Sequence, residues 1–306
     1  MKEYDNIIIG AGPAGFTAGI YAARREMKTL IIGKEVGGQM VWASEIENYP
    51  GFKSINNYDL IMKIQEQVKG LDVEIKTAEV KKIEKKDDVF ILRTSKEEYK
   101  AKTIVIALGL SPRRLAIPGE TEFANKGVSY CANCDGPFYK DKVVAVIGGG
   151  NAALDAAEVL SKIGKQIYLV HRQEEFRAFE ALIEDVKERK NIELIFNSEV
   201  QEITGKDRVE KIKIVDNKIK QEKEIAVDGV FVEVGRIANT DLVANLVERD
   251  KTNQIIVDEN QATTTSGLFA AGDVTNKSNF KQITIAMGEA TIAALAAYQY
   301  LQLKRE

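Results

Sequence analysis

The chain has 306 residues, 44% of them hydrophobic and 29% charged, with a formal net charge of -3. That length suggests about two domains with ample core-forming material. Lysine and arginine are spread along the chain, so neither a nucleic-acid surface nor a membrane surface is indicated.

In chain order, an apolar strand over Asn6–Ile9 runs into Gly10-Ala11-Gly12-Pro13-Ala14-Gly15, and a helix is predicted from about Ala14 to Arg25. In this strand–turn–helix setting G-x-G-x-x-G reads as a dinucleotide loop. Gly10 permits the tight turn, Gly12 lets the backbone approach a pyrophosphate, and Gly15 lets the helix pack on the strand. A second strand follows over Thr29–Ile32, and just beyond it Glu35 stands where a carboxylate holds ribose hydroxyls. With a strand so close to the start, no secretory leader is expected, and the expected compartment is the cytoplasm.

Residues 73–108 alternate short strands with charged turns and close on an apolar strand, Thr103–Leu108, ended by Gly109. The charged runs Lys81–Asp88 and Asp216–Glu224 are expected at solvated hairpin tips. Turn-rich joints fall at Ser111–Gly119 and Gly235–Thr240.

Both cysteines of the chain sit in Cys131-Ala132-Asn133-Cys134, followed at once by Asp135 and Gly136. This spacing can close a small disulfide ring or supply half a metal site. A zinc site takes four cysteine or histidine ligands, and the sole histidine, His171, belongs to a different motif. No metal is therefore expected, and in a reducing compartment such a pair reads as redox-active, the alternative being two buried cysteines.

The opening pattern then repeats. Val143–Ile147 leads into Gly148-Gly149-Gly150-Asn151-Ala152-Ala153, a helix over about Ala152–Ile163 and a strand over Gln166–Val170. Ala153 takes the third glycine's place, an accepted variant. His171 and Arg172, with Arg177 beyond, occupy the place where an acid would select NAD, and arginine there suits a 2′-phosphate, against the alternative of surface charges. His171 on its own reads as a strand-end histidine. Further strands are predicted over Glu193–Phe196, Lys211–Val215 and Gly229–Val234, and Leu268–Ala271 leads to Gly272-Asp273. The apolar stretch Ile283–Tyr300 contains Glu289 and reads as a buried helix, not a membrane span. Two dinucleotide folds beside a C-x-x-C pair suit a relay in which one cofactor delivers hydride, a flavin accepts it, and the disulfide takes the electron pair.

With these motifs in order over nearly the whole chain, the sequence resembles the low-molecular-weight thioredoxin reductases. Gly10–Gly15 resembles that family's FAD loop, Gly37-Gly38-Gln39 and Glu47-Asn48-Tyr49-Pro50-Gly51 its flavin-side segments, and Cys131–Gly136 its redox site. Gly148–Asn151 with Ala152, His171, Arg172 and Arg177 resembles its NADPH site, and Ala270–Asp273 with Lys281, Gln282 and Ile283 its closing FAD motif. The resemblance implies an α/β fold of two Rossmann-like, three-layer ββα domains. An FAD domain from 1–114 and 243–306 would carry an inserted NADPH domain, 115–242, that holds the C-x-x-C. It further implies FAD and NADPH as cofactors, a homodimer, rotation of the domains between two states, and thioredoxin as partner. Cys134 would face the flavin, Cys131 would attack the carrier disulfide, and Asp135 would supply a proton. The chain departs from the pattern at Gln173, where a second arginine is usual, and at Ala238, Lys281 and Ile283; Gln173 narrows the expected preference for NADPH. Alternatives are the same machine serving a glutaredoxin-like or peroxidase-linked carrier, or a redox-sensing or metal-binding interaction protein. A flavin reductase of the ferredoxin–NADP type would lack the C-x-x-C.

Overall fold

The computed structural model describes residues 1–42, 45–46 and 48–304, and only the backbone at Trp42, Glu45 and Cys134. The chain forms two units: Met1–Ser111 with Ile237–Glu306, and Pro112–Arg236 inserted between them.

In the first unit, β1 (Lys2–Ala11) leads to α1 (Pro13–Ala23) and returns as β2 (Thr29–Val36). Then α2 (Asn57–Lys69) leads to β3 (Glu74–Thr77) and a meander of β4 (Val80–Lys86), β5 (Val89–Thr94) and β6 (Glu98–Ile106). Ile7, Ile8 and Ile9 are all buried, so the apolar second half of β1 is covered on both faces. It lies between β2 and β6, parallel to both, in the order β3-β2-β1-β6-β5-β4. The predicted solvated tip at Lys81–Asp88 is mostly strand: β4 runs to Lys86 and only Asp87 and Asp88 form the turn. A register shift between Val80 and Lys82 puts two lysines between the buried Val80 and Ile83, which hides the alternation in the sequence. Likewise Asp216 and Glu222–Glu224 lie in strands, with the turn between them.

The second unit begins with β7 (Val128–Ser129), α3 (Ala132–Asp135), β8 (Val143–Ile147), α4 (Asn151–Ser161), β9 (Gln166–Val170), α5 (Glu180–Glu188) and β10 (Ile192–Ile195). It continues with β11 (Ser198–Gly205), β12 (Val209–Asp216), β13 (Glu222–Ala226) and β14 (Gly229–Val232). A five-stranded parallel sheet, β7-β14-β8-β9-β10, carries the antiparallel β11-β12-β13 sheet on one face and the helices on the other. The chain then returns to the first unit, where β15 (Leu268–Ala270) pairs with the end of β6 and α6 (Ile283–Leu303) packs on α1 through small residues. Ala18 and Ala22 of α1 and Ala290, Ala294 and Ala297 of α6 are buried in the same core. Among the described residues no helix is long and apolar enough to cross a membrane.

The segment leading to the cysteines is tied down by Glu120, which is 1% exposed. Its Oε1 accepts the Leu115 N–H and the Tyr130 hydroxyl, each at 2.9 Å, and its Oε2 accepts the Ala116 N–H at 2.7 Å. Burial first, then Glu120, push the Tyr130 phenol up to about 12. Glu120→Ala strands three donors, and we expect a loss of about 3 kcal/mol in urea unfolding followed by tryptophan-independent circular dichroism. An unchanged midpoint would contradict this role.

Candidate active site

β1 ends at Gly10, which takes φ +120°; a Cβ there would lie 2.1 Å from the Ala107 carbonyl oxygen. The chain must bend at this point because Ala107 closes β6 alongside, its N–H bonded to Ile9 O at 2.8 Å. Gly12 is the N-cap of α1, Pro13 opens the helix, and no side chain caps it. The first-turn N–H groups are therefore open to an anion. Ala14 is buried, and Gly15 packs where a Cβ would stand 1.8 Å from Gly10 O.

Other parts of the first unit close on this loop. Gly38 approaches so tightly that a Cβ would lie 2.9 Å from the Gly12 Cα. Gln39 Nε2 donates to Asp273 Oδ2 at 2.7 Å, and a Cβ on Gly109 would meet Gln39 Nε2 at 3.5 Å. Asn48 Nδ2 donates to Oε1 of Gln282, the N-cap of α6, with Ile283 the first residue of that helix. Glu47 lies outside the described residues. Lys281 Nζ donates to Gln254 Oε1 and Thr275 O; burial draws its amine down, against the opposing pull of Asp273. Glu35, exposed at the end of β2, has no hydrogen-bond or ion-pair partner among the described residues. Sequence reasoning used Glu289 only as an argument against a membrane span. Its buried Oε2 accepts the Gly272 N–H at 2.9 Å and the Thr275 hydroxyl at 2.8 Å, fixing the Gly272–Asp273 turn.

The second unit repeats the device. Gly148 has φ +154°, and a Cβ there would lie 2.3 Å from the Glu233 carbonyl oxygen at the end of β14. Gly150 caps α4 without a side-chain bond, leaving the first turn at Asn151 and Ala152 open. Asn151 Oδ1 accepts the Phe179 N–H at 2.8 Å. The Arg177 N–H donates to Gly149 O at 2.7 Å, which draws the arginine segment onto the glycine loop. Arg172 and Arg177 are exposed and neither side chain has a hydrogen-bond or ion-pair partner among the described residues. The nearby carboxylate, Glu174, pairs with Lys218 at 2.9 Å. His171 is 8% exposed, its ring lies over Gly149, and its Nε2 is 3.1 Å from Glu175 O; burial pulls its pKa down. It is a packed residue of the loop.

Cys131 follows β7 and is disulfide-bonded; the Cys134 side chain is outside the described residues. The Asp135 N–H donates to Cys131 O at 3.1 Å, closing the single turn of α3, and the Asp135 carboxyl meets the Ser129 hydroxyl at 2.5 Å. Since β7, β14, β8 and β9 are parallel, Cys131, Glu233, the Gly148 loop and Arg172 all emerge at the carboxyl edge of one sheet, the edge at which α/β sheets bind ligands. Ser129 and Glu233 had no signal in the sequence. Among the described residues no three His, Cys, Asp or Glu side chains gather as a metal site.

The family model of the pyridine nucleotide-disulphide oxidoreductases matches residues 4–290. The chain is 40% identical over 302 residues to a 34.2 kDa protein in the rubredoxin operon of Clostridium pasteurianum, covering 98% of each. It is 38% identical over 301 residues to the thioredoxin reductase of Treponema pallidum, covering 98% of this chain and 97% of that one. It is 38% identical to an NADH dehydrogenase of Bacillus subtilis, but spans 59% of that protein's length. Among solved structures, the thioredoxin reductase of Lactococcus lactis superimposes with a TM-score of 0.88 at 39% identity, over 98% of this chain and 99% of that one.

Glu233 makes the site pH-sensitive. Burial first, then Asp155, raise its carboxyl to about 7 against the opposing pull of Arg236. The folded chain thus holds this proton up to about pH 7, whereas the unfolded chain releases it in the ordinary carboxylate range. Between those values the folded state binds more protons, so stability from this group falls as pH rises and is flat above about 7. Glu233→Gln should therefore stabilise the protein by about 2 kcal/mol at an alkaline pH of about 8, with the gain shrinking as the pH is lowered to about 5. A gain independent of pH in thermal unfolding would refute this.

Proposed function

The chain belongs to the pyridine nucleotide-disulphide oxidoreductases, and on that footing we propose that it is an NADPH-dependent thioredoxin-disulfide reductase whose working pair is Cys131 and Cys134. One observation carries the reading: the disulfide-bonded Cys131 and the Gly148 loop share the carboxyl edge of one parallel sheet, in a chain whose other unit holds a second dinucleotide loop. Solved and curated thioredoxin reductases matched over their whole length support the same choice of carrier.

The first unit suits FAD. Two uncapped first-turn amides, the Gly12–Gly38 approach that a single Cβ would fill, and the Gln39–Asp273 and Asn48–Gln282 pairs form a backbone cradle with polar side chains at its rim. The second unit suits NADPH: Gly148, Gly150, Asn151 and Ala152 would hold its pyrophosphate, and Arg172 and Arg177 would meet its 2′-phosphate. When bound, NADPH supplies a hydride and FAD passes its two electrons on to a disulfide. Reduction of Cys131–Cys134 consumes those two electrons and two protons, one from the hydride and one from solvent, and leaves two thiols. Asp135 holds the proton exchanged at this pair. The Cys131 thiolate then attacks the thioredoxin disulfide, forming a mixed disulfide and releasing one carrier thiolate. Cys134 attacks Cys131 Sγ, re-forms the ring and releases the second. We place it in the cytoplasm as a homodimer, as the family resemblance of its sequence implies.

The test of function is NADPH oxidation on adding oxidised thioredoxin. Turnover with a glutaredoxin-like or peroxidase-linked disulfide instead would move the assignment to another carrier. In Cys134→Ser, NADPH should still bleach the flavin while reduction of thioredoxin disappears; retained thioredoxin turnover would remove Cys134 from the relay. For Arg172→Ala we expect the KM for NADPH to rise about tenfold, with the KM for NADH and kcat nearly unchanged, because the 2′-phosphate is remote from the hydride. Equal effects on both nucleotides would make Arg172 a surface charge.

A further inference from the structure

Ser129, the last residue of β7, is 5% exposed, and its hydroxyl has three polar neighbours. Asp135 Oδ2 lies at 2.5 Å, the Cys131 N–H donates to it at 3.1 Å, and Cys131 O lies at 3.3 Å. The Asp135 N–H donates to that same carbonyl at 3.1 Å. One hydroxyl thus ties the Asp135 carboxyl to the main chain of Cys131.

A hydroxyl has one proton and two lone pairs. The Cys131 N–H occupies one lone pair throughout. When Asp135 is ionised, the Ser129 proton goes to its carboxylate. When Asp135 carries a proton, the carboxyl donates to the remaining lone pair of Ser129, and the Ser129 proton turns to Cys131 O, already within reach. Every donor is satisfied in both states, and the only movement is rotation of one hydroxyl. An aspartate hydrogen-bonded to backbone amides alone would lose a bond on protonation.

We propose that Ser129 is a positioning residue for the disulfide half of the reaction, its hydroxyl holding the Asp135 carboxyl in one place against Cys131 whether or not that carboxyl carries a proton. The proposal rests on the reading above, in which Asp135 holds the exchanged proton. It assigns no contact between Ser129 and either cofactor.

The test is a double-substitution cycle on the FAD-loaded protein: Ser129→Ala, Asp135→Asn and the two together, with Ser129→Thr as the variant that keeps the hydroxyl. Flavin bleaching by NADPH is followed by stopped flow, and disulfide turnover with oxidised thioredoxin and with 5,5′-dithiobis(2-nitrobenzoic acid). Ser129→Ala should lower kcat for both disulfides about tenfold and leave flavin bleaching unchanged. Ser129→Thr should recover most of that loss. In the Asp135→Asn background, removing the hydroxyl should cost less than about twofold, since its route of action is already gone. Additive losses in the cycle, slowed flavin bleaching, or no loss in Ser129→Ala would overturn the proposal. If the unsubstituted protein turned over neither disulfide, the functional reading itself would fail, a result distinct from any of these.

Discussion

The arrangement depends on one steric constraint, met twice. At the end of β1 in one unit and of β8 in the other, the chain passes so close to the carbonyl that closes the neighbouring strand of the sheet that no side chain fits: a Cβ would stand 2.1 Å from Ala107 O at Gly10 and 2.3 Å from Glu233 O at Gly148. Glycine satisfies the contact and the positive φ together. The chain can then turn at once from strand to helix, and the uncapped helix start faces the carboxyl edge of the sheet. Any larger residue would push that helix start away from the edge and away from an incoming pyrophosphate.

The repeat extends beyond the loops. The strand order β3-β2-β1-β6 of the first unit corresponds to β10-β9-β8-β14 of the second. In each, one further parallel strand is added beside the last: β15 beside β6, and β7 beside β14. The residues leaving that added strand at the carboxyl edge are Gly272 and Asp273 in one unit and Cys131 in the other. One topological position therefore serves two chemistries. In the first it is a backbone turn fixed by Glu289; in the second it is a disulfide fixed by Ser129 and Glu120. Burial raises the carboxyl pKa of Glu289, beside the Gly272–Asp273 turn, and of Glu233, beside the Gly148 loop.

Much of this was legible in the sequence because the constraint is local. Strand, glycine turn and alanine-rich helix are consecutive, so Gly10–Gly15 and Gly148–Asn151 could be read directly, as could Cys131–Cys134. Element ends were less legible: β1 starts at Lys2, well before the apolar run from Asn6, since its first residues are ordered by pairing with Tyr99–Ala101 and not by their own hydrophobicity. The bulge at Val80–Lys82 disguised β4 as a charged turn. Ser129, Glu120 and Glu233 could not be found from sequence at all. Their roles come from partners fixed by the fold, and serine or glutamate at an unremarkable spacing carries no mark of such a partner.

The central claim is that the two loops and the cysteine pair form one route for an electron pair. It is tested most directly by anaerobic titration of the purified protein with NADPH, monitoring flavin absorbance and counting thiols by alkylation and mass. The account predicts a flavin-coloured protein that takes up about two NADPH equivalents per chain, one for the flavin and one for the disulfide, with both cysteines becoming alkylatable. Flavin that bleaches fully with about one equivalent while the cysteines stay unreactive, or protein that holds no flavin, would contradict it.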